Sequence, residues 1–161
     1  MKTPQIISEG TNYSAIDIGR MDELMEHIFM HPKFNKEIEG KVFVGEILKS
    51  TGCEVSFQIL PPKFDKPFLH KHKNHEEMYI FLKGEGQFQV DGKVFDIKEG
   101  SIIRIAPNGS RAWRNNSDGP MIFICIQSMA APAGPFSTSM LAMSSGLRVA
   151  RTFIPCPPAL K

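Results

Sequence analysis

From Lys41 to Gln127 the chain alternates apolar and polar residues with a period of two, in a series of short runs. Glycine, proline, asparagine or aspartate separates most of these runs, which are KVFVGEIL, CEVSFQIL, MYIFL, GQFQV, KVFDI, SIIRIA, RAWRN and MIFICIQ. A period of two is the spacing of side chains on one face of a β-strand. The pattern therefore predicts an all-β fold, an antiparallel sandwich or barrel.

The turn between GQFQV and KVFDI is the clearest local signal. Asp91-Gly92 stands alone between two alternating runs, and this dipeptide suits the positive φ angles of a tight β-hairpin. A hairpin is therefore predicted here.

The segment before the strands has a different period. In MDELMEHIFMHP the apolar residues Leu24, Ile28 and Phe29 recur at helical spacing, and Pro32 ends the run. A short helix is predicted at about residues 21–30.

Three parts follow along the chain: an N-terminal segment at 1–40 with the short helix, a barrel at 41–128 and an arm at 129–161. The arm is rich in proline, alanine and serine, a composition that builds no core of its own. It carries none of the candidate ligands described below. We therefore expect truncation at Ala130 to leave ligand or metal binding intact.

Composition narrows the classes of partner. The 161 residues carry a net charge of +2. This small charge does not indicate binding to nucleic acid or to an acidic membrane surface. No apolar run reaches the ~20 residues of a membrane span. The three cysteines are far apart, and the first residues lack the layout of a secretion signal. A cytoplasmic location is expected.

Histidines and carboxylates gather in FLHKHKNHEEMYIFLKGEG, which starts at residue 68. In an extended chain His70 and His72 project to one side, and Glu77 begins the following strand. Two imidazoles and a carboxylate suit a first-row transition metal. His75 and Glu76 lie in the intervening turn, and we expect them to stay outside the site.

Two motifs in this chain resemble those of the cupin superfamily. The first is His-x-His, four residues, glutamate, six residues and glycine, which matches His70, His72, Glu77 and Gly84. Its leading glycine is replaced by Phe64. The second lies in GSIIRIAPNGSRAWRNN, where one extra residue precedes the proline and the matching positions are Gly100, Pro107, Gly109 and Asn116. Alanine at position 112 stands where that motif has histidine.

This resemblance implies an antiparallel double-sheet β-barrel of the cupin or jelly-roll type, as in small single-domain cupins. It also implies a divalent transition metal (Fe, Mn, Ni or Zn) held by His70, His72 and Glu77. Because Ala112 offers no donor atom, a fourth protein ligand is missing. Members of the family often pair, so a homodimer is expected.

Three further residues are candidates for binding a small-molecule ligand. If Ala112 points inward, Arg114 does too, and its guanidinium would meet Glu77 or an anion; a twist in the strand would instead turn it outward. Tyr79 either lines the pocket or fills the core. Gln127 shares a face of the last strand with Cys125.

Three functions remain open from the sequence. One is a metal-dependent isomerase, dioxygenase or lyase that acts on a small polar molecule. Another is a metal-free enzyme with His72 or Glu77 as general base. The third is a non-catalytic module that binds an organic anion or sugar without metal. The fold itself does not choose between them.

Overall fold

The structure, a computed structural model, describes residues 1–31, 35–65 and 69–130. These residues form strands and one six-residue 3-10 helix, Met21–Glu26. The strands are β1 (Gln5–Gly10), β2 (Tyr13–Asp17), β3 (Ile28–His31), β4 (Lys36–Glu39), β5 (Lys41–Phe43), β6 (Cys53–Leu60), β7 (Phe64–Asp65), β8 (His75–Lys83), β9 (Glu85–Val90), β10 (Lys93–Lys98), β11 (Ile102–Ile105), β12 (Arg111–Asn115) and β13 (Met121–Met129).

Two antiparallel sheets pack face to face. The larger sheet has five strands in the order β11-β8-β13-β6-β5, and the smaller has four in the order β10-β9-β12-β7. The predicted double-sheet, all-β architecture is confirmed. The predicted closed barrel is wrong, because the two sheets have separate hydrogen-bond ladders and form a β-sandwich.

Aromatic side chains from both sheets fill the space between them. Tyr79, Phe81 and Phe123 of the large sheet meet Phe88 and Trp113 of the small one in a single buried cluster. The rings of Phe88 and Trp113 stack at 5.8 Å, and the centroids of Tyr79 and Trp113 are 5.1 Å apart. Burial of these large rings contributes apolar stabilisation to the sandwich.

The opposite face of the large sheet packs in a second apolar cluster. Leu24, from the 3-10 helix, is fully buried and packs in a second cluster with Ile59 and Ile122. Alternate residues of β6 and β13 thus enter different cores, as the period of two requires.

The predicted hairpin is present. Val90 pairs with Lys93 across the turn, and Asp91 and Gly92 have φ values of 48° and 85°. Two successive positive φ angles are those of a type I′ turn, which matches the twist of the strands.

The N-terminal segment departs from expectation. The predicted helix at 21–30 ends at Glu26 as a 3-10 helix, and the chain then enters β3, which pairs with β4. The apolar residues of IFMH therefore lie in a strand and not on a helix face. Pairing with β4 outweighs the weak local preference for helix. Residues 5–17 form the hairpin β1–β2.

The strand predicted from KVFVGEIL is also shorter than expected. It ends at Phe43, and the backbone N–H of Gly45 donates to Glu54 Oε1 at 2.7 Å. A Cβ at Gly45 would lie 2.6 Å from Glu54 Oε2. The chain turns at this close approach, so the strand ends before the end of the KVFVGEIL pattern.

The predicted effect of truncating the arm remains a prediction. The arm is described only to Ala130, so the effect of truncating it lies outside the described residues. In the part of the chain described, no helix has the length and apolar character needed to span a membrane.

Asn115 joins the end of β12 to two neighbouring segments. It is fully buried, and its Nδ2 donates to the carbonyl oxygens of Pro61 at 2.9 Å and Gly119 at 2.8 Å. Its Oδ1 accepts from the backbone N–H and the hydroxyl of Ser117 at 3.1 and 2.7 Å. Asn115, rather than the Asn116 matched by counting along the motif, is therefore the structural asparagine.

We predict that Asn115→Ala lowers the free energy of unfolding by about 2–3 kcal/mol, because it leaves buried groups without partners. Asn116→Ala is the matched control, since Asn116 is exposed, and should change it by less than about 0.5 kcal/mol. Urea denaturation measures both. Equal losses in the two variants would contradict the assignment.

The expected homodimer can be tested on an exposed apolar surface. Met78, Leu82 and Ile102 are 41%, 39% and 64% exposed, and they share the outer face of the large sheet, where β11 pairs with β8. Such patches often mark interfaces. We predict a dimer by light scattering at micromolar concentration, weakened at least tenfold by Ile102→Glu; a wild-type monomer would contradict this.

Candidate functional site

The segment that carries His70 and His72 is fixed by the β12 end of the small sheet. The backbone N–H of Arg111 donates to the His70 carbonyl at 3.0 Å, and the N–H of His70 donates back to Arg111 at 3.2 Å. The N–H of Asn108 donates to the His72 carbonyl at 2.7 Å. The segment therefore lies along the edge formed by β12, and both imidazoles are half-buried.

Glu77 approaches the same place from the other sheet. It lies on the inner face of β8, ahead of Tyr79 and Phe81, and is 5% exposed. Its Oε1 lies 3.0 Å from His72 Nε2. Its Oε2 accepts from the Tyr79 hydroxyl at 2.6 Å and from the Arg111 guanidinium.

The three residues predicted as metal ligands converge. One donor atom each from His70, His72 and Glu77 lies within 4.8 Å of the other two. Donors that bind one ion at ~2.1 Å and at right angles are about 3 Å apart, and His72 Nε2 and Glu77 Oε1 already have this separation, 3.0 Å. The donor set and its spacing fit a first-row metal ion.

A buried guanidinium shares the site, but it belongs to Arg111. This residue is 1% exposed, forms an ion pair with Glu77, and donates from Nη1 to the His70 and Gly109 carbonyls at 3.3 and 3.4 Å. Sequence reasoning did not single out Arg111.

The inward orientation considered for Arg114 is wrong. Arg114 is exposed, and its Nε donates to Gln87 Oε1 at 2.9 Å on the outer surface. The cause is strand parity: Arg111, Trp113 and Asn115 face the core, so their neighbours face out. The signal that could have fixed this parity is Trp113, the only tryptophan, since so large an apolar ring belongs inside.

The same parity corrects the role given to Ala112. Ala112 is on the outer face of β12 and does not occupy an inward ligand position. Counting back four residues from the buried Asn115 gives Arg111 as the inward counterpart of the motif's histidine. The fourth donor is therefore replaced by a cation, rather than simply lost.

His75 lies near the site without joining the three donors. Its ring centroid is 6.0 Å from that of His72, and it is half-buried at the start of β8. It shares the inner face with Glu77, so the expectation that it lies in a turn is wrong. Gln127 is half-buried and pairs with Glu77 across β13 and β8.

The protonation states suit cation binding. Burial lowers the pKa of His72, outweighing the attraction of Glu77, so its imidazole is neutral near pH 7. Burial alone would raise the pKa of Glu77, but the hydrogen bond from Tyr79 and the charge of Arg111 bring it below its usual value. Burial raises the pKa of Cys125 to about 12, which keeps that thiol protonated.

Comparison with known proteins agrees with this architecture. The family model "Cupin domain" matches residues 56–127. A cupin protein from Bacteroides fragilis is 34% identical, with 73% of this chain and 95% of that chain covered and a TM-score of 0.58. A predicted oxalate decarboxylase from Thermotoga maritima, 22% identical over 80% of this chain and 94% of that chain, has a TM-score of 0.51 and shows the fold alone.

A curated relative gives a shorter match. It is an uncharacterized protein from Methanocaldococcus jannaschii, 32% identical over 68 residues. These residues are 42% of this chain and 54% of the relative, so the chain spans about half of the relative's length. From the family model, the sequence identity with a solved cupin and the two-sheet fold, the chain belongs to the cupin superfamily, as a small single-domain cupin.

Proposed function

We propose that this cupin binds one divalent transition-metal ion, Fe, Mn, Ni or Zn, and acts on a small polar molecule. The observation that carries the proposal is the convergence of His70, His72 and Glu77 within 4.8 Å. Neutral imidazoles and an ionised carboxylate are the ligands that such ions prefer.

The two carboxylate oxygens of Glu77 make different contacts. Oε1, beside His72, faces the other donors, whereas Oε2 is held by Tyr79 and Arg111. Hydrogen bonds to a ligating carboxylate orient it and keep it ionised. Three protein ligands leave positions open, and the bound ion would supply Lewis-acid polarisation of a substrate oxygen there.

The charge of Arg111 bears on the choice of substrate. Arg111 and Glu77 cancel each other, so the three ligands together with Arg111 carry no net charge when both imidazoles are neutral. A divalent ion would then leave the site at about +2, which favours an anionic group on the open positions. A small molecule with a carboxylate fits this balance, and the isomerase, dioxygenase and lyase classes all include such substrates.

The alternative is a metal-free module that binds an organic anion or sugar. The buried guanidinium of Arg111 beside the histidines favours it, because a fixed cation repels a metal ion and attracts an anion. Metal content separates the two functions.

We predict that the protein, purified without added metal, contains about one first-row divalent ion per chain by elemental mass spectrometry. His70→Ala, His72→Ala and Glu77→Gln should each weaken binding at least tenfold, because each removes a ligand atom. His75→Ala is the matched control, since its ring lies near His72 but outside the three donors, and it should keep the ion.

An apo protein that also fails to take up added ions would contradict the metal proposal and favour the anion binder. A loss in His75→Ala equal to that in His72→Ala would mean that the ligand set is wrongly assigned.

We further predict that Arg111→His tightens metal binding at least tenfold, or about 1.4 kcal/mol. It removes a buried cation and adds an imidazole at an inward position. Ala112→His is the matched control: it adds the same group one residue away, on the outer face, and should leave affinity unchanged. Calorimetric titration with Zn²⁺ measures both, and equal affinities in the two variants would contradict the inward assignment of Arg111.

A further inference from the structure

A cavity of about 900 Å³ opens between the β3–β4 hairpin, the end of β6 and the β7–β12 side of the small sheet. This volume is within the range of small-molecule sites, about 300–1,000 Å³. Its walls are mainly apolar and include Ile38, Leu60, Phe64 and Trp113. None of the three candidate metal ligands is among the described residues that line it, so the cavity is distinct from the metal site.

Gln58 places a buried hydrogen-bond acceptor in this wall. The residue is 6% exposed, lines the cavity, and its Oε1 accepts no hydrogen bond from the described residues. A buried acceptor left without a donor is destabilising, so such groups usually have a protein, water or ligand partner. A ligand in the cavity that carries an O–H or N–H group would supply this donor.

The charged residues around the cavity disfavour an anionic ligand. Lys36, Glu37 and Glu39 of β4 line it and are all exposed, and half-buried His31 lines it as well. When His31 is counted as neutral, one positive and two negative side chains give a net charge of −1. An anion in the cavity would be repelled by this excess of carboxylate.

A cationic ligand is disfavoured at the buried acceptor. An ammonium that donates to Gln58 would lose much of its hydration in the apolar cavity, and the amide oxygen carries no full charge to compensate. Lys41, which does not line the cavity, is the direct cross-strand neighbour of Gln58, and its ammonium lies 4.6 Å from the centre of the Phe43 ring. A second cation beside this pair of residues would add repulsion, so the cavity suits an uncharged ligand.

Two aromatic side chains in the wall favour a ligand that contains a ring. Phe64 and Trp113 both line the cavity, and aromatic rings pack well in offset-stacked or edge-to-face arrangements. The centroid of the Trp113 ring is also 5.7 Å from that of His70. Trp113 therefore lies between the cavity and the candidate metal site, and its environment changes when a ligand enters the cavity.

We propose that this cavity binds an uncharged aromatic molecule that carries a hydroxyl group, of the phenol class. Its hydroxyl donates to Gln58 Oε1, and its ring lies against Leu60, Phe64 and Trp113. A phenol has a pKa of about 10 and is therefore uncharged at pH 7. Binding here requires neither the metal ion nor the proposed reaction.

The test uses 4-ethylphenol as the probe, on the full chain at pH 7 with EDTA present throughout. Because Trp113 is the only tryptophan, its indole N–H gives one NMR signal, and the shift of that signal reports binding. Three comparison ligands need no variant: 4-ethylanisole lacks the hydroxyl donor, 4-ethylbenzoate is an anion, and 4-ethylbenzylamine is a cation. We expect the phenol to bind at least threefold more tightly than the anisole and at least tenfold more tightly than either charged ligand.

Variants assign the contact to Gln58. Gln58→Leu replaces the amide by an apolar group of similar size, so it should abolish the preference for the phenol while the anisole still binds. Gln5→Leu is the matched control, since Gln5 is exposed in β1, and it should keep the preference. His72→Ala should also keep the phenol affinity, because the probe is proposed to lie on the other side of Trp113.

Four results would overturn the proposal. The first is a Trp113 signal that does not move at millimolar 4-ethylphenol. The second is an anisole, benzoate or amine that binds as tightly as the phenol to the wild-type protein. The third is an unchanged preference in Gln58→Leu, and the fourth is loss of binding in His72→Ala, which would place the probe at the metal ligands. None of these depends on whether the protein carries a metal ion.

Discussion

The buried ion pair between Arg111 and Glu77 connects the two sheets at the site. Glu77 is on β8 of the large sheet and Arg111 on β12 of the small one, and these sheets have separate hydrogen-bond ladders. Burying two charges is costly unless their remaining hydrogen bonds are satisfied. Tyr79 and His72 on the carboxylate, and two backbone carbonyls on the guanidinium, provide that compensation. Because the pKa of Glu77 is lowered in the folded state, its stabilising contribution is present at neutral pH and is lost as the pH falls through that lowered value.

The same pair constrains what the site does. Arg111 takes the inward position that would otherwise hold a further donor, so the cation adjusts charge and carboxylate orientation without completing a coordination shell. An ion held by two imidazoles and one carboxylate keeps more open positions than one with four protein ligands. The proposed preference for an anionic substrate follows from this exchange of a neutral donor for a fixed positive charge.

The sandwich strands could be predicted from the sequence because the pattern that defines them is local. Alternation and turn residues define β6, β9, β10 and β12 within a residue of their observed limits. The three donors could also be predicted, because His70 and His72 are at positions i and i+2 of an extended segment. The parity of β12 was harder to predict, because RAWRN places charged residues on both faces and the one sequence signal is the expected burial of Trp113.

Features made by pairing between distant segments had no local signal. The apolar residues of IFMH fit either a helix face or a strand, and the partner β4 decides between them. Lys41 and Gln58 are 17 positions apart by their numbering and become neighbours only in the register of β5 and β6.

The type I′ turn at Asp91-Gly92 has a practical consequence. It is exposed, its conformation is fixed by two positive φ angles, and nothing lies within 4 Å of a Cβ built on Gly92. Exposed loop tips of this kind tolerate inserted sequence better than packed strands do. An affinity tag or a fluorescent reporter domain spliced between these two residues would project into solvent.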